Sequence, residues 1–234
     1  MKLTTPCQRL ALITVLMLSS AGTALADTAA LDALSSKDAA GGLRAALSKG
    51  VDVAVSQLGA NNGFLNDPKV AIPLPGGLEK AEKGLKMLGM GGQADELRVT
   101  MNHAAEQAVA QAKPIFKQAL QHMTLTDAKG ILSGGDGAGT AYFKRTTTAQ
   151  LTSSFKPVVT KETAKLGVTA KYNEIAGKAS QLGLMSSQEA NINDYVTAKA
   201  LDGLFSRVAE EEHAIRKDPM GQASSLIKKV FGAL

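Results

Sequence analysis

The sequence predicts an all-α protein. Apolar residues recur every three or four positions through most of the chain, and no stretch alternates apolar with polar residues for long enough to form a sheet. The 234 residues are 44% hydrophobic and 20% charged, as in a soluble globular protein, and the one cysteine excludes a disulfide-stabilised scaffold. We therefore expect a single multi-helix bundle domain of about seven to nine helices with one extended Pro-rich loop.

The N-terminus has the features of a secretory signal peptide. Lys2 and Arg9 precede an apolar stretch over residues 10–18, and Ala24-Leu25-Ala26 supplies the small residues that signal peptidase needs. The stretch is much shorter than the roughly 20 residues that span a bilayer. We expect cleavage after Ala26, which removes residues 1–26 and leaves residues 27–234 as a single helical domain in the periplasm.

The mature chain that remains carries little net charge and no cysteine. Cys7 precedes the apolar stretch instead of following the cut, so we expect no lipid on it. Removing Lys2 and Arg9 lowers the basic residues from 26 to 24 against 21 acidic ones, a net charge of +3. This bias is too weak to indicate a nucleic-acid partner.

The first half of the mature chain predicts helices around one irregular segment. Apolar residues from Leu43 to Leu58 repeat at helical spacing, and Gly59 with Asn61 and Asn62 ends that helix. Three prolines between Asn66 and Gly77 forbid a continuous helix and favour an extended, packed loop. A short helix over Leu78 to Leu88 and a long helix over Leu97 to Met123, kinked at Pro114, are expected to follow.

The second half predicts further helices separated by glycines and by Asp218-Pro219. A glycine-rich turn is expected over Ser133 to Gly139. The expected helices are Asp127 to Leu132 with Thr126 as its cap, Ala141 to Thr147, Leu151 to Leu166, Val168 to Leu182, one that starts at Asn193 or Asp194 and stops at Asp218, and a last short one from Leu226 to Leu234.

Several of these segments together resemble one protein family. They are Ile72 to Leu78, Ala128 to Leu132 with Ala141-Tyr142, and above all the C-terminal stretch with Tyr195-Val196-Thr197, Ala200 to Phe205, Glu210-Glu211-Glu212, Ile215-Arg216, Asp218-Pro219 and Lys229 to Gly232. The chain is similar to a bacterial family of exported helical proteins catalogued as a domain of unknown function. The resemblance implies an exported all-helical domain and brings no catalytic residue, cofactor or substrate.

Metal, nucleotide and hydrolase motifs are incomplete. Glu210 and His213 show the Glu-x-x-His spacing that ferritin-like metal centres use twice, but one copy is present. The glycines of 133–140 lack the Gly-Lys-Ser/Thr ending of a phosphate-binding loop, and no Gly-x-Ser-x-Gly elbow occurs. We therefore expect no cofactor and no bound metal.

The acidic run Glu210-Glu211-Glu212 is the most informative cluster. Glu212 lies on the apolar stripe of its predicted helix, whereas Glu211 falls on the wet side. A buried carboxylate needs a cation or hydrogen-bond donors, and the candidates are Arg216 one turn on, or Arg44, Arg98 or Arg145 from other helices. A structural ion pair is the favoured interpretation. The alternative is a polar ligand site with the candidate residues Glu210, Glu212, His213, Arg216 and Asp218.

Two classes of function remain open. The favoured one is a non-enzymatic periplasmic binding or envelope-associated protein, in which a groove between helices or the Pro-rich loop holds a ligand. The alternative is a periplasmic hydrolase or lyase that uses Glu212 and His213, or His103, as acid and base. Envelope proteins and the membrane surface are candidate partners. The last helix carries lysines beside apolar residues, although its short length favours docking onto its own bundle.

Overall fold

The fold is all-α, as the sequence predicts. The computed structural model describes residues 36–76, 87, 91–165, 189–222 and 224–232, and the single positions 167, 169, 170, 172, 173, 176, 181 and 186. No strand occurs among these residues. The helices are α1 (Ser36–Leu58), α2 (Gly91–Val109), α3 (Ala112–His122), α4 (Leu125–Ser133), α5 (Ala138–Thr163), α6 (Ile192–Lys217) and α7 (Ser225–Phe231).

Some predicted features lie outside the described residues. These are the signal peptide with its cleavage site and most of the helix expected over Leu78 to Leu88. The helix expected over Val168 to Leu182 is described at six positions, all of them helical. The total of seven to nine helices refers to the whole mature chain, so the described part does not test it.

The two longest helices, α5 and α6, form the centre of the bundle. They pack on each other and both contact α2, while α1 lies along α6 and is itself contacted by α3, α4 and α7. Aromatic side chains fill the centre even though the chain has few of them: Phe116 of α3 meets the ring of Phe143 at 4.7 Å and that of Phe205 at 6.2 Å, both edge-on. Such edge-on contacts add to the stabilisation from burial.

Small residues bring neighbouring elements close together. A Cβ built on Gly203 of α6 would lie 2.7 Å from the ring of Phe64, and one on Gly50 of α1 would lie 3.3 Å from Cβ of Glu211. Gly50 thus lies where two helices meet, whereas Gly203 faces Phe64 in the turn after α1.

The long kinked helix expected over Leu97 to Met123 is wrong. The chain forms two helices, because α2 ends at Val109 and α3 begins at Ala112 after a short turn. Pro114 is the third residue of α3, where an N–H group has no partner within the helix. The proline therefore fits the first turn of a new helix.

The break expected between Ala141 to Thr147 and Leu151 to Leu166 is also wrong. One helix, α5, runs from Ala138 to Thr163 and contains Pro157 in its interior. Thr148 and Gln150 are exposed polar residues of a continuous helix. Their polarity reflects contact with solvent, because the buried stripe of α5 passes through Thr147 and Leu151 on the other face.

Two helix caps differ from the expected ones. Thr124, not Thr126, caps α4: its hydroxyl accepts a hydrogen bond from the Asp127 N–H, and the Asp127 carboxylate accepts from the Thr124 N–H. This is a reciprocal capping box. Asn191 caps α6, which begins at Ile192, one or two residues before the expected start at Asn193 or Asp194.

The Pro-rich segment is an extended, packed loop, as expected. Residues 71–75 have no helical structure, and Ile72 and Leu74 are buried. The side chain of Asn102 holds Ile72 at both polar atoms: its Oδ1 accepts from the Ile72 N–H at 2.8 Å, and its Nδ2 donates to the Ile72 carbonyl at 3.0 Å. Tyr195 donates its hydroxyl to the Pro73 carbonyl.

Candidate functional site

Glu212 is buried on α6, as its place on the apolar stripe predicts, with 4% of its surface exposed. Its Oε1 accepts a hydrogen bond from the Gly139 N–H at 2.9 Å and from Arg216 at 3.0 Å. Its Oε2 accepts from the Thr140 N–H at 2.8 Å and from the Thr140 hydroxyl at 2.9 Å. Both carboxylate oxygens are therefore occupied by donors from the protein itself.

The donors show that Glu212 caps another helix. Gly139 and Thr140 lie in the first turn of α5, whose N-terminal N–H groups have no partner within the helix. The N-cap residue of α5 is Gly137, which has no side chain to accept them and lies in the left-handed region at φ 82°. A carboxylate at this end also interacts favourably with the helix dipole.

Gly139 leaves the space that this approach needs. A Cβ built on Gly139 would lie 2.5 Å from Cδ2 of Leu47 and 3.2 Å from the Glu212 carboxylate carbon. Beside the carboxylate is a cavity of about 10 Å³ lined by Leu43, Leu47, Phe231 and other residues, which holds no more than one water molecule. This cavity therefore has no room for a ligand larger than a water molecule.

Arg216 is the partner of Glu212. It is one of the candidate arginines that the sequence predicts. Its guanidinium also donates to the Ile131 carbonyl at 2.9 Å and lies 5.4 Å from the ring centre of Phe231. The other three candidate arginines bind elsewhere: Arg44 to the Leu120 and Met123 carbonyls, Arg98 to Asp95, and Arg145 to Asp127. These contacts support the structural interpretation of the pair.

The remaining predicted ligand-site residues each have a separate partner. Glu210 binds Lys69 and Arg207, and the hydrogen bond from Lys69 is the main cause that lowers the pKa of its carboxyl. His213 Nδ1 lies 2.8 Å from Asp136, and Asp218 accepts from the Gly221 N–H at 2.9 Å. The His213 and Asp136 side chains are both 60% exposed.

Glu211 is less solvated than the sequence predicts. It is half-buried, and burial raises the pKa of its carboxyl. The packing of α6 against Gly50 of α1 explains this, because the absence of a side chain at Gly50 brings the two helices together beside Glu211.

A second buried carboxylate, Glu106 of α2, was not identified from the sequence as a structural residue. It is 4% exposed and accepts hydrogen bonds from the N–H groups of Asn62, Phe64 and Leu65 in the turn after α1. Its neighbour His103 contacts the Asn62 side chain at 3.1 Å. The position of Glu106 among the buried alanines 104, 105 and 108 was the available signal.

A polar groove between α3 and α5 is a candidate for ligand binding. It consists of two adjoining hollows of about 280 and 410 Å³ that share Ile115, Gln118 and Gln150. Its other lining residues are Gln111, Pro114, Ala119, His122, Asp127, Tyr142, Thr146, Thr147, Ser153 and Ser154. Ligand grooves combine an apolar floor with a few placed polar groups, and this groove has that composition.

The polar groups of the groove are mostly uncharged. Gln150 donates its amide to Gln118 Oε1 at 3.3 Å across the groove, which leaves the Gln118 amide N–H groups and the Gln150 oxygen for other partners. Ile115, Ala119 and Tyr142 form the floor, where the Tyr142 hydroxyl donates to the Ala119 carbonyl. Asp127 is engaged by Thr124 and Arg145.

Gln118 and Gln150 could not be identified as site residues from the sequence. Both are exposed residues on amphipathic helices, where glutamine is common on any solvated face. Only the packing of α3 against α5 brings them together, 32 positions apart in the chain.

Two further observations bear on the class of site. No group of three or more His, Cys, Asp or Glu side chains that could hold a metal ion occurs within the part of the chain that the structure describes. Within the same part, no helix combines the length and apolarity needed to cross a bilayer.

Residues 33–232 match the family described as "Protein of unknown function (DUF4197)". The chain belongs to this family. No curated protein and no solved structure matches it. The DUF4197 match covers every described helix, so the groove between α3 and α5 and the Glu212 cap both lie within the family's domain.

Proposed function

We propose that this DUF4197 protein is an exported, non-enzymatic binding protein of the periplasm, whose groove between α3 and α5 holds an extended segment of another polypeptide. The observation that carries the proposal is the pair of amides at the centre of the groove. Gln118 and Gln150 present a donor and an acceptor side by side, which is the complement of a peptide group.

The dimensions of the groove support a short peptide. The 11 residues of α3 give a length of about 16 Å, which an extended chain covers with about five residues. Hydroxyl groups of Thr146, Ser153 and Ser154 line the groove beside the amides and add acceptors for main-chain N–H groups. No lysine or arginine is among the described residues that line the groove, so an uncharged segment is favoured over a phosphate or carboxylate ligand.

The hydrolase or lyase alternative has weaker support. Both oxygens of Glu212 accept hydrogen bonds from buried donors, so the carboxylate has no position left for a substrate proton. The His213 ring faces Asp136 at an exposed position, and the His103 ring faces Asn62. A nucleophile, a base and an orienting group do not occur together at these sites.

The test is a nuclear magnetic resonance titration with a blocked, uncharged hexapeptide of alanine, serine and threonine. We expect the side-chain amide signals of Gln118 and Gln150 to shift on addition of the peptide, with saturation at micromolar to millimolar concentrations. Gln118→Ala combined with Gln150→Ala should weaken binding by about tenfold or more, because buried peptide groups would lose their partners.

Gln121→Ala is the matched control, since Gln121 is an exposed glutamine of the same helix that does not line the groove. The control should bind the peptide as the unmodified protein does. If the signals shift with a neutral oligosaccharide and not with the hexapeptide, the ligand of the groove is a glycan and not a peptide. An absence of shifts in the groove with both probes would overturn the proposal.

A further inference from the structure

A second surface, at the C-terminal end of the fold, has a different chemistry. We call it the C-terminal face and define it by Lys217, Met220, Leu226, Lys228 and Lys229. Met220 is 65% exposed and Leu226 is 43% exposed, and they are two of the four exposed large apolar side chains in the described part of the chain. Apolar side chains beside lysines give the composition that interfacial helices present to a membrane surface.

The packing of α7 fixes the direction in which this face points. Ile227, Val230 and Phe231 are buried against the bundle, which confirms the expectation that this short helix docks onto its own fold. Gly42 of α1 allows the close approach, because a Cβ there would collide with Val230. Lys229 lies on the side of α7 opposite the buried residues, and Leu226 and Lys228 flank it.

Met220 belongs to the same face. A Cβ built on Gly232, the residue that follows α7, would lie 3.4 Å from Sδ of Met220. The thioether therefore lies beside the exposed end of α7, next to the turn that carries Lys228 and Lys229.

Positive charge predominates on the C-terminal face. Lys229 forms an ion pair with Asp38 at 3.2 Å, and Asp218 accepts from the Gly221 N–H. Lys217 and Lys228 form no ion pair with any described residue. Lys49 reaches this region through a 2.7 Å hydrogen bond to Gln222. These four lysines outnumber the three nearby carboxylates, which belong to Asp38, Asp218 and Glu211, the last of which interacts electrostatically with Lys49.

We propose that the C-terminal face docks the protein onto a bilayer surface that contains anionic lipids. The exposed side chains of Met220 and Leu226 enter the boundary between headgroups and acyl chains, while the lysines contact the lipid phosphates. Charge complementarity selects an anionic membrane over a neutral one, because each lysine close to such a surface is attracted to it. This surface and the groove between α3 and α5 share no residue, so the two proposals stand independently.

The test is co-sedimentation of the processed protein, purified from the periplasm, with phospholipid vesicles. One vesicle preparation is pure phosphatidylcholine, and the other has about one third of it replaced by phosphatidylglycerol. We expect binding to the anionic vesicles alone, with a loss at high salt. Met220→Ser combined with Leu226→Ser should lower the partition coefficient by about tenfold, since two exposed apolar contacts disappear.

Leu125→Ser is the matched control, because Leu125 is also an exposed leucine, 52% accessible, at the start of α4 outside the C-terminal face. It should bind like the unmodified protein, and all variants should keep its melting temperature. The proposal is overturned by equal binding to both vesicle types, by an equal loss in Leu125→Ser, or by no binding. Dimerisation that depends on Met220 and Leu226, seen by sedimentation velocity without vesicles, would assign the face to a second copy of the chain.

Discussion

At the scale of single residues, Glu212 replaces an N-cap that the sequence of α5 lacks. The chain enters α5 through glycines at 134, 135 and 137, none of which can accept a hydrogen bond with a side chain. A carboxylate from α6 supplies the acceptor, and Arg216 balances its charge. Because the cap comes from a residue 72 positions away, it couples the start of α5 to the position of α6.

Glu212→Gln is expected to lower the free energy of unfolding by about 2–4 kcal/mol. The variant keeps the shape, but its amide N–H groups must face either Gly139 and Arg216 or Thr140, which are donors as well. A buried donor then stays unsatisfied, and the guanidinium loses its counter-charge. Urea denaturation at neutral pH measures the change, and a variant as stable as the unmodified protein would refute the cap.

Glu211→Gln is the neighbouring control and should change the stability by less than about 0.5 kcal/mol at neutral pH. The raised pKa of Glu211 gives the comparison a pH signature. A carboxyl with a higher pKa in the folded state binds its proton more tightly there, so the unmodified protein gains stability as the pH falls toward that pKa. The Gln variant lacks this gain. Its free energy of unfolding should therefore decrease relative to that of the unmodified protein as the pH falls.

Two buried threonines on α5 distinguish the stabilisation that comes from the Glu212 cap from the effect of burial alone. Thr140 donates its hydroxyl to Glu212, whereas the Thr147 hydroxyl donates to the Phe143 carbonyl one turn earlier in the same helix. Thr140→Val should cost about 1.5–3 kcal/mol because a hydrogen bond to a charged group is lost. Thr147→Val should cost under about 1 kcal/mol, since a helical carbonyl keeps its backbone donor. Equal losses in thermal unfolding would contradict this assignment.

At the scale of helices, the capping box of α4 gives a prediction that distinguishes two threonines. Thr124→Ala should destabilise the fold by about 1 kcal/mol, because the Asp127 N–H loses its acceptor at the N-terminus of α4. Thr126→Ala should be close to neutral, because Thr126 is exposed and caps nothing in the structure. Chemical denaturation of both variants checks the assignment, and the reverse order would restore Thr126 as the cap.

The same capping box predicts a pH dependence. Hydrogen bonds from the side chain and backbone of Thr124 are the main causes that lower the pKa of Asp127, and Arg145 adds to them. A carboxyl with a lowered folded-state pKa stabilises the fold above its unfolded-state pKa, and this contribution is lost as the pH falls through the folded-state pKa. The stability difference between Thr124→Ala and the unmodified protein should therefore shrink below about pH 4.

The periodicity of apolar residues was sufficient for the existence of most helices and insufficient for their ends. It placed α1, α4, α6 and α7 because each buries one stripe of apolar side chains. The periodicity predicted one helix in place of α2 and α3, because the apolar residues before and after Gln111 continue the same helical spacing. Only Pro114, in the first turn of α3, marks the start of a second helix. The periodicity predicted two helices in place of α5, because the polar residues Thr148 and Gln150 lie on the exposed face of that helix.

The site residues show the same limit for a different reason. Glu212 and Arg216 were predictable, since they lie one turn apart and the burial of a lone carboxylate demands a partner. The N–H donors at Gly139 and Thr140 were not, because backbone groups leave no trace in a sequence pattern. Gln118 and Gln150 meet across two helices whose relative position depends on the whole bundle.

At the scale of the whole molecule, buried polar side chains hold its irregular segments in place. Glu212 binds the first turn of α5, directly after the glycine-rich turn. Glu106 holds the turn after α1, and Asn102 holds the extended Pro-rich loop. Each lies on a helix and binds backbone groups more than 25 residues away. Loops that lack their own secondary structure thereby gain the hydrogen bonds that burial requires.

The export proposal also concerns the whole molecule, and the processed N-terminus tests it. We expect the protein recovered from the periplasm to begin at Asp27 and to carry no lipid, because Ala24 and Ala26 meet the requirement of signal peptidase for small residues and Cys7 is removed with the leader. Intact-mass measurement and N-terminal sequencing distinguish this product from the full chain.

Ala24→Lys should block the cut and leave a product that is longer by the 26 residues of the leader, whereas Thr28→Lys, just beyond the cut, should be processed normally. A lipid on Cys7, or a chain that keeps Met1 to Ala26 in both the unmodified protein and the control, would refute the proposed export route while leaving the fold and the groove unaffected.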